Sequence, residues 1–309
     1  MIGLLDEEVG LLKSIRRNKL IAFSLFVIPA LAIYVLFVTI PFLKTFYYSL
    51  TDWNGISETY NFVGFSNFEK LFQDKIMWKS LVNNIEICLI GGVLTFLVAI
   101  FNAVIITQSK LREKKFYRIV YFIPNILSAT IVSLLWMFIY NPSFGLLNGF
   151  LEGIGLHDLT KVWLGNKTTV IPCITVAWVW MSVGFYMVMY ISAIESIPTG
   201  LFEAAEIDGS TAWHKFRYIT WPLLKETTKT SLVFFFVNAF SSVFNMVKIM
   251  TDGDPARASE VLTNYMYKTA FRQSSFGYGT AIGVFTFFLI LLLSGVVLLL
   301  TRTKVVIEF

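Results

Sequence analysis

The sequence predicts an all-α membrane protein with six transmembrane helices. Three observations point there. Hydrophobic residues make up 56% of the chain and charged ones 15%, with a mean hydropathy of +0.69, whereas a soluble domain carries about 25% charge. Six apolar stretches follow one another, Leu20 to Ile40, Ile87 to Thr107, Ile119 to Ile139, Val170 to Ile194, Thr230 to Val247 and Ala281 to Thr301, each about as long as the roughly 20 residues that cross a hydrocarbon core as a helix. None alternates polar and apolar residues as barrel strands do.

Taken in order, residues 1–19 form an N-terminal segment ahead of the first run. That run reads as a retained span rather than a signal peptide, since no small-residue cleavage pattern follows it before Pro41. Residues 47–83 form a segment long enough to hold structure, in which Ser66-Asn67-Phe68-Glu69 has the form of a capping box opening an amphipathic stretch through Phe68, Leu71, Phe72 and Trp78. This stretch reads as an interfacial helix anchored by Phe72 and Trp78, or as a contact with an external partner. The loop Gln108 to Arg118 carries Lys110, Arg112, Lys114, Lys115 and Arg118. Flanking charge that fixes topology accounts for it, a nucleic-acid or lipid patch being the alternative.

Six spans place both termini on one side. That side collects Lys13, Arg16, Arg17 and Lys19, the cluster just named, Lys215, Arg217, Lys225 and Lys229, and Arg302 and Lys304. Basic loops stay in the cytoplasm, so both termini are expected there and 47–83 outside. The net charge of +5 then calls for no nucleic acid.

The six runs contain no Asp, Glu, Lys, Arg or His, the groups that ion-driven carriers and intramembrane enzymes place at mid-membrane. Both histidines, His157 and His214, fall in loops, and no GxxxxGK[ST] phosphate cradle occurs. Cys88 and Cys173 lie inside spans and suggest buried thiols rather than a disulfide or a metal site. No catalytic residue, metal site or resident cofactor is expected. Sodium coupling through backbone and hydroxyl oxygens escapes this test, so a secondary, ion-coupled sugar carrier stays as the rival reading.

Neutral polar groups do enter the spans. Asn238, Ser241, Ser242 and Asn245 recur at i, i+3, i+4 and i+7 and share a helix face. Such a stripe can hydrogen-bond a polyhydroxylated solute or glue one helix to another. In the fourth span Thr175, Trp178, Ser182 and Phe185/Tyr186 recur at helical spacing, and aromatic faces suit the apolar faces of sugars. Trp178, Ser182, Tyr186 and the four-residue stripe are the candidate substrate pathway.

The loop Ile194 to Lys229 has legible chemistry. Pro198 suits a first helical turn, Glu203 to Asp208 continues it, and Gly209 can end it in the left-handed conformation. Ser210 or Thr211 can cap a second helix carrying Trp213, Phe216 and Ile219, which is expected to stop near Pro222. The product is a helix, a glycine corner and a helix projecting from the membrane.

Glu203-Ala204-Ala205-x-x-Asp208-Gly209, then Phe216, Ile219 and Pro222, resembles the EAA motif of permease subunits of binding-protein-dependent ABC importers. Phe26-x-x-Pro29-Ala30, Tyr48-Ser49-Leu50-Thr51-Asp52-Trp53, Phe62-Val63-Gly64-Phe65-x-Asn67-Phe68 and Tyr265-x-Tyr267-x-x-Ala270-Phe271 are similar to the carbohydrate-importing group that includes the maltose system's larger permease subunit. Ser210 stands where that family usually has Ala, Glu226 where a second Pro often follows, and Asp252-Gly253-Asp254-Pro255 where Gly-Gly-Pro is usual.

The resemblance implies a type I ABC importer transmembrane fold in a bacterial cytoplasmic membrane, with one permease domain over 20–309 and a coupling loop over 194–229. It implies a subunit without ATPase motifs that imports a sugar or oligosaccharide. Its partners would be a second permease subunit, two cytoplasmic ATPase subunits holding ATP and Mg, and an extracytoplasmic solute-binding protein. Glu203, Ala204, Ala205, Asp208, Gly209, Phe216 and Pro222 would dock the ATPase.

Overall fold

The computed structural model describes residues 23–109 and 112–300. The expected N-terminal segment 1–19, the start of the first span and Thr301 lie outside the described residues. Among the described residues five helices are long and apolar enough to cross a membrane, and a bent pair makes a sixth crossing. They are α1 (Phe23–Tyr48), α3 (Lys75–Gln108), the pair α4 (Lys114–Ile126) and α5 (Ala129–Ile139), α7 (Val170–Glu195), α10 (Lys225–Met250) and α12 (Phe276–Leu300). Short helices fill the connections: α2 (Ser66–Gln73), α6 (Leu146–Gly153), α8 (Thr199–Ile207), α9 (212–223) and α11 (Leu262–Tyr267).

The core forms where α3 and α4 pack on α7 and where α10 closes against α3, α7 and α12. Trp178, Tyr190, Phe235 and Phe240 are its largest fully buried side chains. Small residues permit the approach. A Cβ at Gly184 in α7 would lie 2.1 Å from the Tyr121 carbonyl oxygen of α4, and one at Gly91 in α3 would lie 2.8 Å from the Trp178 ring. The C-terminal half of α1 lies along α12 through Phe42, Phe46, Phe287 and Phe288, while Phe23–Ala30, at the other end of the helix, leaves large apolar side chains exposed. Cys88 and Cys173 are buried and free.

Several expected boundaries shift, each for a local reason. The third span is not one helix, because α4 and α5 meet at 98°. Pro124 has no N–H to offer the preceding turn, and Leu127 and Ser128 are extended. The Ser128 hydroxyl then accepts the Ile131 N–H and caps α5. The second span begins at Lys75 rather than near Ile87, because Asp74 caps it through the N–H groups of Ile76 and Met77. The polar pair Asn83-Asn84 fits inside this helix because the 258–262 loop satisfies both amides.

The first span runs on through Pro41. A π turn over Val35–Thr39 shifts the hydrogen-bond register immediately before it. The helix of α9 ends at Leu223, next to Pro222, as expected, after passing through a π turn over Phe216–Thr220. Pro198 is the N-cap of α8 rather than a first-turn residue. The capping box at Ser66 does not form. Phe65 is the N-cap of α2 and no side chain caps it. The amphipathic face does form, with Leu71 fully buried and Phe72 and Trp78 exposed.

Candidate functional site: an uncharged cavity and a projecting helix pair

A cavity of about 220 Å³ opens between α4, α7 and α10, lined by Asn125, Trp178, Met181, Ser182, Phe185, Tyr186, Asn238 and Ser242. Each lining group has a sequence-level reason to be there. Asn125 follows Pro124 in the last turn of α4, beside the break in the third span. Trp178, Ser182 and Tyr186 recur every four residues and so stack on one face of α7. Asn238 and Ser242 are one turn apart in α10, at the point where its helix loosens at Ser242.

The polar atoms are partly tied down. Asn125 Nδ2 donates to the Met181 carbonyl at 3.4 Å, Asn238 Nδ2 to the Phe234 carbonyl at 2.9 Å, and Ser242 Oγ to Asn238 Oδ1 at 3.2 Å. The lining contains amides, a phenol, hydroxyls, aromatic faces and a thioether, and no Asp, Glu, Lys, Arg or His. Such a surface hydrogen-bonds and stacks on a neutral polyhydroxylated molecule without holding a charge in low dielectric.

Five of the seven pathway candidates, Trp178, Ser182, Tyr186, Asn238 and Ser242, therefore meet at one cavity. Ser241 and Asn245 do not line it. They are exposed, because consecutive helical positions diverge by 100° and Ser241 turns away where Ser242 turns in. Sequence reasoning passed over Asn125 and Met181. The readable signal was a lone amide after a proline in the middle of an apolar run.

At one end of the bundle α8 and α9 project as a pair. Gly209 has φ +73°, Ser210 N–H donates to the Ala205 carbonyl at 2.9 Å and Gly209 N–H to the Glu206 carbonyl at 3.1 Å. These two bonds constitute a Schellman closure, with glycine at the left-handed position. Thr211, not Ser210, caps α9 by accepting the His214 N–H, and Lys215 braces the corner with an ion pair to Glu206 at 2.7 Å. Glu203, Ala204, Asp208 and Gly209 are exposed and Ala205 half-buried. Ile207 is 87% and Trp213 67% exposed, an unusual setting for large apolar side chains at a polar end. Phe216 and Pro222 are half-buried instead, and Phe216 packs between Trp213 and Trp221.

The profile of the binding-protein-dependent transport system inner membrane component family matches residues 96–305. The chain belongs to this family. It is a multi-pass permease of the cytoplasmic membrane, and the α8–α9 corner and the cavity both fall within the matched region. The permease is 37% identical over 281 residues to the probable ABC transporter permease protein YurN of Bacillus subtilis, covering 91% of this chain and 95% of that one. It is 36% identical over 294 residues to the diacetylchitobiose uptake system permease protein NgcF of Streptomyces coelicolor, covering 92% and 83%. The sn-glycerol-3-phosphate transport system permease protein UgpA of Agrobacterium fabrum is 30% identical over 282 residues, covering 90% and 93%. In fold, the permease resembles a chain of a bacterial ABC transporter that imports the acidic polysaccharide alginate, with a TM-score of 0.80, 23% identity and coverage of 94% and 98%. The same fold recurs in an alginate ABC transporter in complex with its pentasaccharide-bound periplasmic protein, with a TM-score of 0.81, 23% identity and coverage of 94% and 96%.

Proposed function

We propose that this permease is one half of a heteromeric importer and that the α8–α9 corner is where a cytoplasmic ATPase engages it. The observation that carries this reading is the exposed corner itself, closed at Gly209 and braced by Lys215, with Ile207 and Trp213 presented outward. A rigid corner transmits force, and its uncovered apolar side chains call for a partner. Glu203, Asp208 and the small residues Ala204 and Ala205 complete the docking surface, while Phe216 and Pro222 hold α9 beneath it. The excess of basic residues in the loops on this side supports a cytoplasmic location for this end and for both termini.

A second homologous permease subunit covers the remaining apolar faces, and two ATPase subunits bind ATP with Mg²⁺. A solute-binding protein delivers cargo to the opposite end. ATP-driven closure of the ATPases moves the corner, and the spans around the cavity open alternately to the two sides.

The cargo is a neutral sugar or oligosaccharide. Relatives are named for diacetylchitobiose and for sn-glycerol-3-phosphate uptake, and the lining of this cavity favours the uncharged kind. Proteoliposomes holding the complete complex and its binding protein, loaded with ATP, should take up labelled neutral oligosaccharides and not sn-glycerol-3-phosphate or alginate oligomers. Uptake by the permease alone, driven by an ion gradient without ATP, would instead establish the secondary carrier.

A further inference from the structure

Helix α3 is held at both ends by side chains from distant parts of the chain. At the cytoplasmic end Gln108, its last residue, donates from Nε2 to the hydroxyl of Thr220 at 2.9 Å. Thr220 is fully buried and closes the π turn of α9. This bond ties the projecting corner to a span other than α7 and α10, the two that flank it in sequence.

At the outer end Asp74 accepts from the hydroxyls of Tyr265 and Tyr278. Asn83 Nδ2 donates to the carbonyls of Ala258 and Glu260 at 3.0 and 2.8 Å, and Asn84 Oδ1 accepts the Leu262 N–H at 2.8 Å. The loop that they grip is itself braced, since buried Glu260 pairs with Lys268 at 2.9 Å and accepts from Asn264 at 2.5 Å. Between the two ends the helix backbone passes the cavity wall, with Gly91 against Trp178. The helix is 34 residues long, about 51 Å at 1.5 Å per residue.

We infer that the Gln108–Thr220 hydrogen bond couples the docking corner to α3, and that α3 carries the displacement to the outer 251–262 loop. Gln108 and Thr220 are positioning residues for energy coupling. A continuous helix is stiff along its axis, so a pull on its inner end reaches the loop gripped at its outer end. The inference rests on the proposed docking of an ATPase at α8–α9.

Transmission is an energetic property, so it is tested by coupling between substitutions. The complete transporter in lipid nanodiscs is followed by hydrogen–deuterium exchange with and without ATP and Mg²⁺. In the wild type, ATP should alter exchange in peptides covering 199–223 and in those covering 75–84 and 251–262. Gln108→Leu and Thr220→Val should each keep the 199–223 response and reduce the outer response about fivefold. The double variant should lose no more than either single one, and Thr220→Ser should respond as wild type.

An outer response that survives Gln108→Leu, or losses that multiply in the double variant, would overturn the link. So would loss of the 199–223 response in the single variants, which would make the bond part of the docking site itself. A wild type in which 199–223 ignores ATP would overturn the docking reading, an outcome distinct from the others.

Discussion

At the scale of single residues, Gly209 and Asp74 show how one side chain, or its absence, fixes a large element. Gly209 sits at φ +73° with open space around it, so a substitution there meets backbone strain rather than a clash. Gly209→Val should leave membrane insertion intact and abolish solute-stimulated ATP hydrolysis, measured in the assembled complex, because a β-branched residue disfavours the left-handed turn on which the Schellman closure depends. Undiminished stimulation would refute docking at this corner. Asp74 combines a helix cap with bonds to two tyrosines. Burial alone would raise its pKa, but the hydroxyls of Tyr265 and Tyr278 and the N–H groups of Ile76 and Met77 outweigh it and hold the carboxyl below its usual range. A depressed folded-state pKa contributes stability that is present above the unfolded value and lost as pH falls through the folded one. Asp74→Ala should therefore cost about 2 kcal/mol near neutral pH, seen as a lower thermal midpoint in detergent. The difference from wild type should shrink below about pH 4.

Elements are set by where helices can touch and where they must break. Gly184 lets α7 lie against the α4 backbone, and Gly184→Val should drive the two apart at a cost of about 3 kcal/mol. Reduced yield of folded subunit, with Val176→Ala at an exposed position of the same helix tolerated, is the expected result in a detergent stability screen. The spans that were legible as single helices, α7 above all, are those whose apolar run carries no internal break. Val170 to Ile194 read from the sequence matches Val170–Glu195 in the fold to one residue. The third span was not legible, because the same apolar composition serves a straight helix and a bent one, and the bend depends on Ser128 finding the Ile131 N–H. The opposite error concerned a proline. The first apolar run reads as ending at Ile40, before Pro41, yet a π turn ahead of Pro41 lets the helix continue, whereas α9 does end next to Pro222. The backbone of the α8–α9 corner was readable at Gly209 and Thr211, since glycine and threonine act on their own backbone. The cavity was readable only as two separate faces, whose meeting depends on long-range packing.

On the scale of the whole molecule, the permease leaves many large apolar side chains exposed along its helices. The large rings of Phe96, Phe235 and Phe236 border an apolar groove of about 780 Å³ that runs between α3 and α10 to Trp213 and Trp221 of α9. Groove rims that reach the polar end favour a protein neighbour over lipid tails. Expressed by itself, the permease should elute from size exclusion in detergent as polydisperse material, and coexpression with its companion permease should yield one homogeneous peak. A monodisperse solitary subunit would contradict the heteromeric reading.

The 98° turn between α4 and α5 has a further meaning for the membrane as a barrier. Thirteen residues of α4 reach about 20 Å, short of the roughly 30 Å of a hydrocarbon layer, so a crossing made by the bent pair turns before α4 alone could complete it. Carbonyls at the end of α4 and amides at the start of α5 need partners there. The Ser128 hydroxyl meets one of them by accepting the Ile131 N–H, and the cavity lined by Asn125 adjoins the break. Here the wall between the two sides of the membrane is made of packed side chains from α4, α5 and α7 rather than of one unbroken apolar helix.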